Sequence, residues 1–195
     1  MYVDLEDARA YARWAGKRLP TEDEWQYAGQ GDDGRVYPWG SEWQEGRCND
    51  GRSGGTTAVK AFPQGRSPFG LYDMCGNTWE WTESERSDGR TRFCILKSGS
   101  YYKAKGSDWY ADSGPQPCDF AAKFLLMWPG LDRCATVGFR CVVDLTDENE
   151  SASSTPPGRT NTPSSPPSPI SFIDEGGLMI ARRTSHKSSI VRQLV

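Results

Sequence analysis

Apolar residues recur at helical spacing only near the start of the chain. Leu5, Ala8, Tyr11, Ala12 and Ala15 form one stripe, which predicts an amphipathic helix. Asp4 can cap its first turn through Asp7, and Gly16 fits as its C-terminal stop. Thr21-Glu22-Asp23-Glu24 has capping-box spacing and opens a second helix carrying Trp25 and Tyr27. That helix is expected to end before the turn cluster from Gly29 to Gly34. Beyond Gly34 the helical period is lost. Short apolar runs between Gly, Pro and Asp read as strands up to Val143. The pattern predicts an α+β domain with its two helices at the N-terminal end and no internal repeat.

Composition divides the chain. Of the 21 residues from Ser151 to Ser171, 16 are Ser, Thr or Pro, too few apolar groups to offset the entropy of ordering. Residues 1–145 are therefore read as one domain, and 146–195 as a disordered linker and tail. Two short apolar patches, Gly177-Leu178-Met179-Ile180 and Ile190-Val191, interrupt the tail. They suit either a docking peptide or an unstructured end.

Charge and residue counts remove several function classes. Lys and Arg total 23 against 26 acidic residues, so the basic excess of a nucleic-acid binder is missing. No run of 18 apolar residues exists to span a membrane. The single histidine, His186, lies in the tail, which argues against Ser-His and Cys-His dyads, histidine-ligated zinc and a histidine-carboxylate iron site. Eight Trp with 21 Gly and 13 Pro point to a loop-rich fold that packs indoles. The six cysteines have no CxxC spacing, and both disulfides and free buried thiols remain compatible with them.

Three segments are long and specific. Trp14 to Ala28 reads WAGKRLPTEDEWQYA, Tyr37 to Gly40 reads YPWG, and Ser67 to Trp81 reads SPFGLYDMCGNTWEW. Ser98-Gly99-Ser100-Tyr101 and Gly138-Phe139-Arg140-Cys141 follow in order. Over about residues 2–143 this series resembles the formylglycine-generating enzyme family, also called the sulfatase-modifying factor domain. The resemblance implies a loop-rich α+β fold related to the C-type lectin domain. Family members carry a further N-terminal part with no counterpart in this chain, so a missing N-terminal half of the domain is expected.

In an extended strand Gly76, Thr78 and Glu80 would face one side, and Asp73 could join them from the preceding turn. Two carboxylates with two carbonyl oxygens suit a hard cation. The resemblance implies a structural Ca²⁺ at these four positions, through the side chains of Asp73 and Glu80 and the carbonyls of Gly76 and Thr78. The plainer alternative is that both carboxylates serve only backbone amides. Neither has an obvious basic partner in sequence, which favours calcium. A second family calcium site would begin at Asn49, but its loop is short here.

The family's oxidases bind Cu(I) through two cysteines that follow the Ser-Tyr motif, and soft copper requires sulfur. Those positions hold Lys103 and Asp108 here, so copper is not expected. Cys94, Cys118 and Cys134 lack the spacing to substitute. Lys103 and Asp108 could instead pair with each other. Iron-dependent sulfoxide synthases sharing the domain take histidines from another domain, which leaves an oxidoreductase with partner-supplied metal as the alternative function. Ser100, Tyr101, Tyr102, Lys103, Asp108 and Trp109 fall in the family's cleft region. There they could hold a peptide or glycan ligand, or the aromatics could simply fill the core. Arg140 reads as a buried ion-pair donor. The disulfide partner implied for Cys141 falls on Ala12, so Cys141 is expected to be a free thiol, which favours a cytoplasmic, reducing location.

Overall fold

In the computed structural model of the protein, the described residues are 2–103, 114–126 and 133–145, with the backbone of 170–171, 174–175, 178–183 and 188–192. Helix α1 spans Leu5–Trp14 and α2 spans Glu22–Gln30. Both open with complete capping boxes, Asp4 with Asp7 and Thr21 with Glu24, so orphan amides at each N-terminus find side-chain acceptors. Gly16 follows α1 at φ 67°, the left-handed geometry of a helix stop.

Helix α2 differs from expectation at its end. It runs through Gly29 to Gln30, and Gly31 supplies the left-handed turn at φ 72°. Gly29 stays helical because it is needed for packing. A Cβ there would sit 2.9 Å from the Cys118 sulfur.

Four strands form the main sheet: β1 Trp79–Ser87, β2 Arg92–Lys97, β3 Ala122–Leu126 and β4 Val137–Phe139. Their order is β3-β2-β1-β4, antiparallel except for the parallel β1–β4 pair. Central β1 carries a bulge between Trp81 and Glu85. Helix α1 lays Leu5, Ala8 and Ala12 against Trp81, Cys94, Leu96, Val137 and Cys141. Helix α2 lays Trp25 and Ala28 against Leu71, Met74, Cys118 and Val142. Arg18 ties the two helical segments to β5, Cys141–Leu145, through ion pairs with Glu24 and Asp144.

Beyond residue 145 the Ser/Thr/Pro-rich linker lies outside the described residues up to 169. Short backbone strands follow at Ile170–Ser171 (β6), Asp174–Glu175 (β7), Leu178–Arg183 (β8) and Ser188–Arg192 (β9). Strand β9 pairs antiparallel with β5 and with β8. The two longer strands coincide with the apolar patches noted in the sequence. Among the described residues no helix is long and apolar enough to cross a membrane.

Candidate functional site

The segment from Asp73 to Thr78 is a turn, and β1 begins only at Trp79. Strand alternation therefore does not orient Gly76 and Thr78. Left-handed φ values at Asp73 (53°), Gly76 (78°) and Asn77 (64°) fold the backbone back instead. Gly76 is required here, since a Cβ would lie 2.5 Å from the Asn49 carbonyl oxygen.

Ser98, itself at φ 80°, is buried beneath this turn. Its hydroxyl donates toward the carbonyls of Gly76 (3.0 Å) and Asp73 (3.2 Å). Its carbonyl accepts the amides of Gly76 (2.8 Å) and Gln116 (3.1 Å).

Glu80 does have a basic partner, contrary to the sequence expectation. Arg140 donates to both of its carboxylate oxygens, from Nε to Oε2 and from Nη2 to Oε1 at 2.7 Å. The Trp25 indole adds a third hydrogen bond to Oε2 at 2.6 Å. Arg140 is 1% exposed and Glu80 6%, so this is a buried ion pair. Arg140 Nη2 also reaches the carbonyls of Tyr72 (3.3 Å) and Asp73 (3.2 Å). The reading of Arg140 as a structural ion-pair donor matches this geometry. The pair was hidden in sequence because 60 residues separate its members.

Asn49 lies against the same turn. Its carbonyl accepts the Asn77 amide at 3.1 Å, and its Nδ2 donates to Asn77 Oδ1 at 3.1 Å and to the Gly55 carbonyl at 2.8 Å. Its Oδ1 accepts from the Gly51 amide and the Ser53 hydroxyl. In this arrangement Asn49 organises the loop from Asn49 to Gly55.

The Ser98–Lys103 segment crosses that loop and turn. The Tyr101 amide donates to the Asn77 carbonyl at 3.0 Å, and the Ser100 amide to the Gly114 carbonyl at 3.0 Å. Gly51 packs directly beneath the Tyr101 carbonyl. Ser100 is buried, Tyr101 half-buried, and Tyr102 and Lys103 are exposed. The Lys103 stem covers Gly114, and its ammonium is among the charges that hold the Asp50 carboxyl below its usual range, the Arg52 hydrogen bond being the larger cause. Asp108 and Trp109 lie outside the described residues, as does their proposed pairing with Lys103.

The structure thus brings Asn49, Asp73, Gly76, Thr78, Glu80, Ser100, Tyr101 and Lys103 into one neighbourhood. Ser98, Asn77 and Trp25 belong to it too, although no sequence signal marked them as site residues. The donor chemistry around the turn is all oxygen, which fits a hard cation. The Arg140 guanidinium on the same carboxylate opposes one. No group of three or more His, Cys, Asp or Glu among the described residues is arranged to hold a metal. Lys103, the first position at which the resemblance implies a copper thiolate, carries an ammonium and no sulfur, a group that does not fit Cu(I).

Two open surface hollows lie elsewhere, each of about 450 Å³. One is lined by Arg35, Arg47, Arg66 and Trp39, beside the stacked rings of Tyr37 and Trp39.

Comparison with known proteins places these features in context. Residues 1–145 match the sulfatase-modifying factor enzyme 1-like domain. The chain is 41% identical over 115 residues to the inactive C-alpha-formylglycine-generating enzyme 2 of Bos taurus, covering 52% of this chain and 38% of that protein. It is 50% identical over 180 residues to the formylglycine-generating enzyme of Mycobacterium tuberculosis, covering 73% of this chain and 56% of that protein. The crystal structure of CarF aligns with a TM-score of 0.47 at 26% identity, over 64% of this chain and 46% of that one. The chain therefore spans well under two thirds of the length of these relatives.

Proposed function

The chain belongs to the sulfatase-modifying factor enzyme 1-like family, and from that premise we propose that it acts as a non-catalytic, ligand-binding member stabilised by calcium. The observation that carries the reading is Lys103. Its exposed ammonium falls where the resemblance would put the first copper thiolate, and Asp108 falls in the sequence where it would put the second. Neither provides sulfur for a soft metal. The name of the relative from Bos taurus, an inactive C-alpha-formylglycine-generating enzyme, supports the non-catalytic reading.

The ligand surface is the strip Tyr101-Tyr102-Lys103 above buried Ser100, with Tyr102 exposed beside an ammonium. An aromatic ring next to a charged group suits a peptide or a glycan. Asp108 and Trp109 would extend it. A panel of peptides and glycans tested by calorimetry against the protein and its Tyr102→Ala variant examines this directly. Binding that weakens at least fivefold in the variant supports the surface, and binding that is unaffected removes it.

Calcium would be held by the Asp73 side chain, the Gly76 and Thr78 carbonyls, and Glu80. The ion would supply charge that cross-links the turn to β1. Arg140 shares the Glu80 carboxylate, so affinity should be weak, about 10⁻⁴–10⁻³ M, the range of modest calcium modules. At 100 times Kd the ion would stabilise the fold by about 2.7 kcal/mol. The expected result is a calcium-dependent rise in melting temperature that EGTA reverses and Asp73→Ala abolishes. A transition indifferent to calcium at 10 mM would remove calcium from the account.

The alternative reading, an oxidoreductase using metal supplied by a partner domain, rests on the relatives named as enzymes. Metal analysis of the full-length gene product decides it. A bound redox metal supports the alternative, and calcium alone discards it.

A further inference from the structure

The two surface hollows handle charge differently. The first is lined by Arg9, Arg13, Lys17 and Arg18 together with Glu6 and Glu83. Its Arg9 pairs with Glu6 and Glu83, and its Arg18 with Glu24 and Asp144. The second is lined by Arg35, Arg47 and Arg66 with Trp39, Gln64 and Ser67, and no acidic side chain is among its described lining residues.

Arg35 is balanced by Asp33, to which it donates from Nε at 2.9 Å and from Nη2 at 2.6 Å. Arg47 and Arg66 have no ion pair among the described residues. Arg47 Nη1 donates to the Gln64 carbonyl at 2.6 Å and to Gln64 Oε1 at 3.1 Å. Arg66 Nε donates to the Pro63 carbonyl at 3.1 Å, and its guanidinium lies 5.8 Å from the centre of the Tyr72 ring. Each guanidinium is thus fixed through one nitrogen, and its other two have donors to offer a ligand. In a chain of net charge -3, two uncompensated guanidiniums on one hollow reverse the sign locally.

The walls are preformed. Pro63–Gly65 is a single 3-10 turn, and Gly65 sits so close to Arg47 that a Cβ would overlap the Arg47 carbonyl. The Ser67 amide donates to the Leu71 carbonyl at 2.9 Å, and the Gly70 amide to the Ser67 carbonyl at 2.8 Å. Trp39 stacks on Tyr37 at 5.3 Å, and its indole donates to the Glu42 carbonyl at 3.0 Å. Side chains held this way cost little entropy to order around a ligand. The volume, about 450 Å³, is that of a small-molecule site.

We propose that this hollow binds a phosphate monoester carried on a planar ring. Charge selects the group. A phosphate monoester carries about -1.5 to -2 at pH 7, which balances Arg47 and Arg66 together, whereas a sulfate ester or a carboxylate carries a single charge and leaves one cation unmatched. Three terminal oxygens also accept the paired N–H donors of two guanidinium forks. Trp39 offers the apolar face against which the ring lies. The site is separate from the Tyr102 surface and does not depend on it.

The test is calorimetry on the full chain at low ionic strength, where ion pairing is least screened. The probes are phenyl phosphate, phenyl sulfate and inorganic phosphate. Phenyl phosphate is expected to bind about fivefold or more tighter than phenyl sulfate, through its second charge, and tighter than inorganic phosphate, through Trp39. Arg66→Gln should weaken it about tenfold, and Arg66→Lys, which keeps the charge and loses the fork, by less. Arg66 is exposed, so both variants should keep the melting temperature of the parent. Arg13→Gln removes the same charge from the lining of the first hollow and should leave affinity unchanged. No binding of phenyl phosphate at about 10 mM would overturn the assignment. So would equal affinity for phenyl sulfate or for inorganic phosphate, or a loss in Arg13→Gln that matches the loss in Arg66→Gln.

Discussion

Arg140→Met removes the guanidinium that occupies both oxygens of Glu80 while nearly preserving volume. What remains is a carboxylate at 6% exposure whose only described hydrogen bond comes from the Trp25 indole, plus two carbonyls, of Tyr72 and Asp73, that lose a donor. Removing one partner of a buried ion pair costs about 3–5 kcal/mol, because the other charge stays desolvated and unpaired. For a chain of this size that corresponds to a fall in melting temperature of about 6–20 °C. Urea unfolding followed by tryptophan fluorescence reads the change. A cycle with Glu80→Gln separates the pair from its surroundings, and the double variant should lose at least about 1.5 kcal/mol less than the sum of the singles. Lys97→Met is the internal contrast. Lys97 is also fully buried, but among the described residues its close contacts are Gln26 Oε1 at 3.4 Å and the Trp25 ring at 5.6 Å; burial lowers its pKa, and Glu22, Asp119 and Asp23 oppose that shift without an ion pair. Deleting that buried charge, which has no ion pair among the described residues, should leave stability unchanged or higher. The reasoning is refuted if Arg140→Met costs under about 0.5 kcal/mol, if the cycle is additive, or if Lys97→Met costs as much as Arg140→Met.

Two further outcomes follow from the packing and the thiols. Gly65→Ala should destabilise by at least about 1–3 kcal/mol, since a Cβ there would overlap the Arg47 carbonyl, which is backbone and cannot swing aside; an unchanged urea midpoint contradicts this. Burial pushes the thiols of Cys94 and Cys141 up to about 11 and that of Cys118 up to about 12. Their folded pKa values exceed the unfolded value, so the stability they contribute is complete below about pH 8.5 and is lost as pH rises toward those values. Urea midpoints measured under reducing conditions at pH 8, 9 and 10 should fall progressively, and a flat or rising series contradicts the assignment.

The helices were legible because their signals are local. Asp4 with Asp7 and Thr21 with Glu24 act within one turn, and both capping boxes form as read. The end of α2 was misplaced because Gly29 carries two meanings. As a turn former it suggests a stop, but it stays helical because Cys118, 89 positions later, needs the space. The Gly76–Trp81 motif stands out in the sequence, and in the fold it runs from the turn into β1. The strand period did not explain it, because a turn built on Asp73, Gly76 and Asn77 presents those carbonyls. The Glu80–Arg140 pair and the Ser98 hydroxyl beneath the turn were out of reach of local pattern. Each joins residues more than 20 positions apart, and only the folded chain brings them together.

The central claim is that a family scaffold survives without the family's copper chemistry. The most direct measurement incubates the protein with Cu(I), reductant, dioxygen and a sulfatase-derived Cys-x-Pro-x-Arg peptide, and follows the peptide by mass spectrometry. The account predicts an unchanged cysteine after prolonged incubation and no tight Cu(I) dithiolate in a chelator competition. Conversion of that cysteine to formylglycine by the purified chain would contradict it.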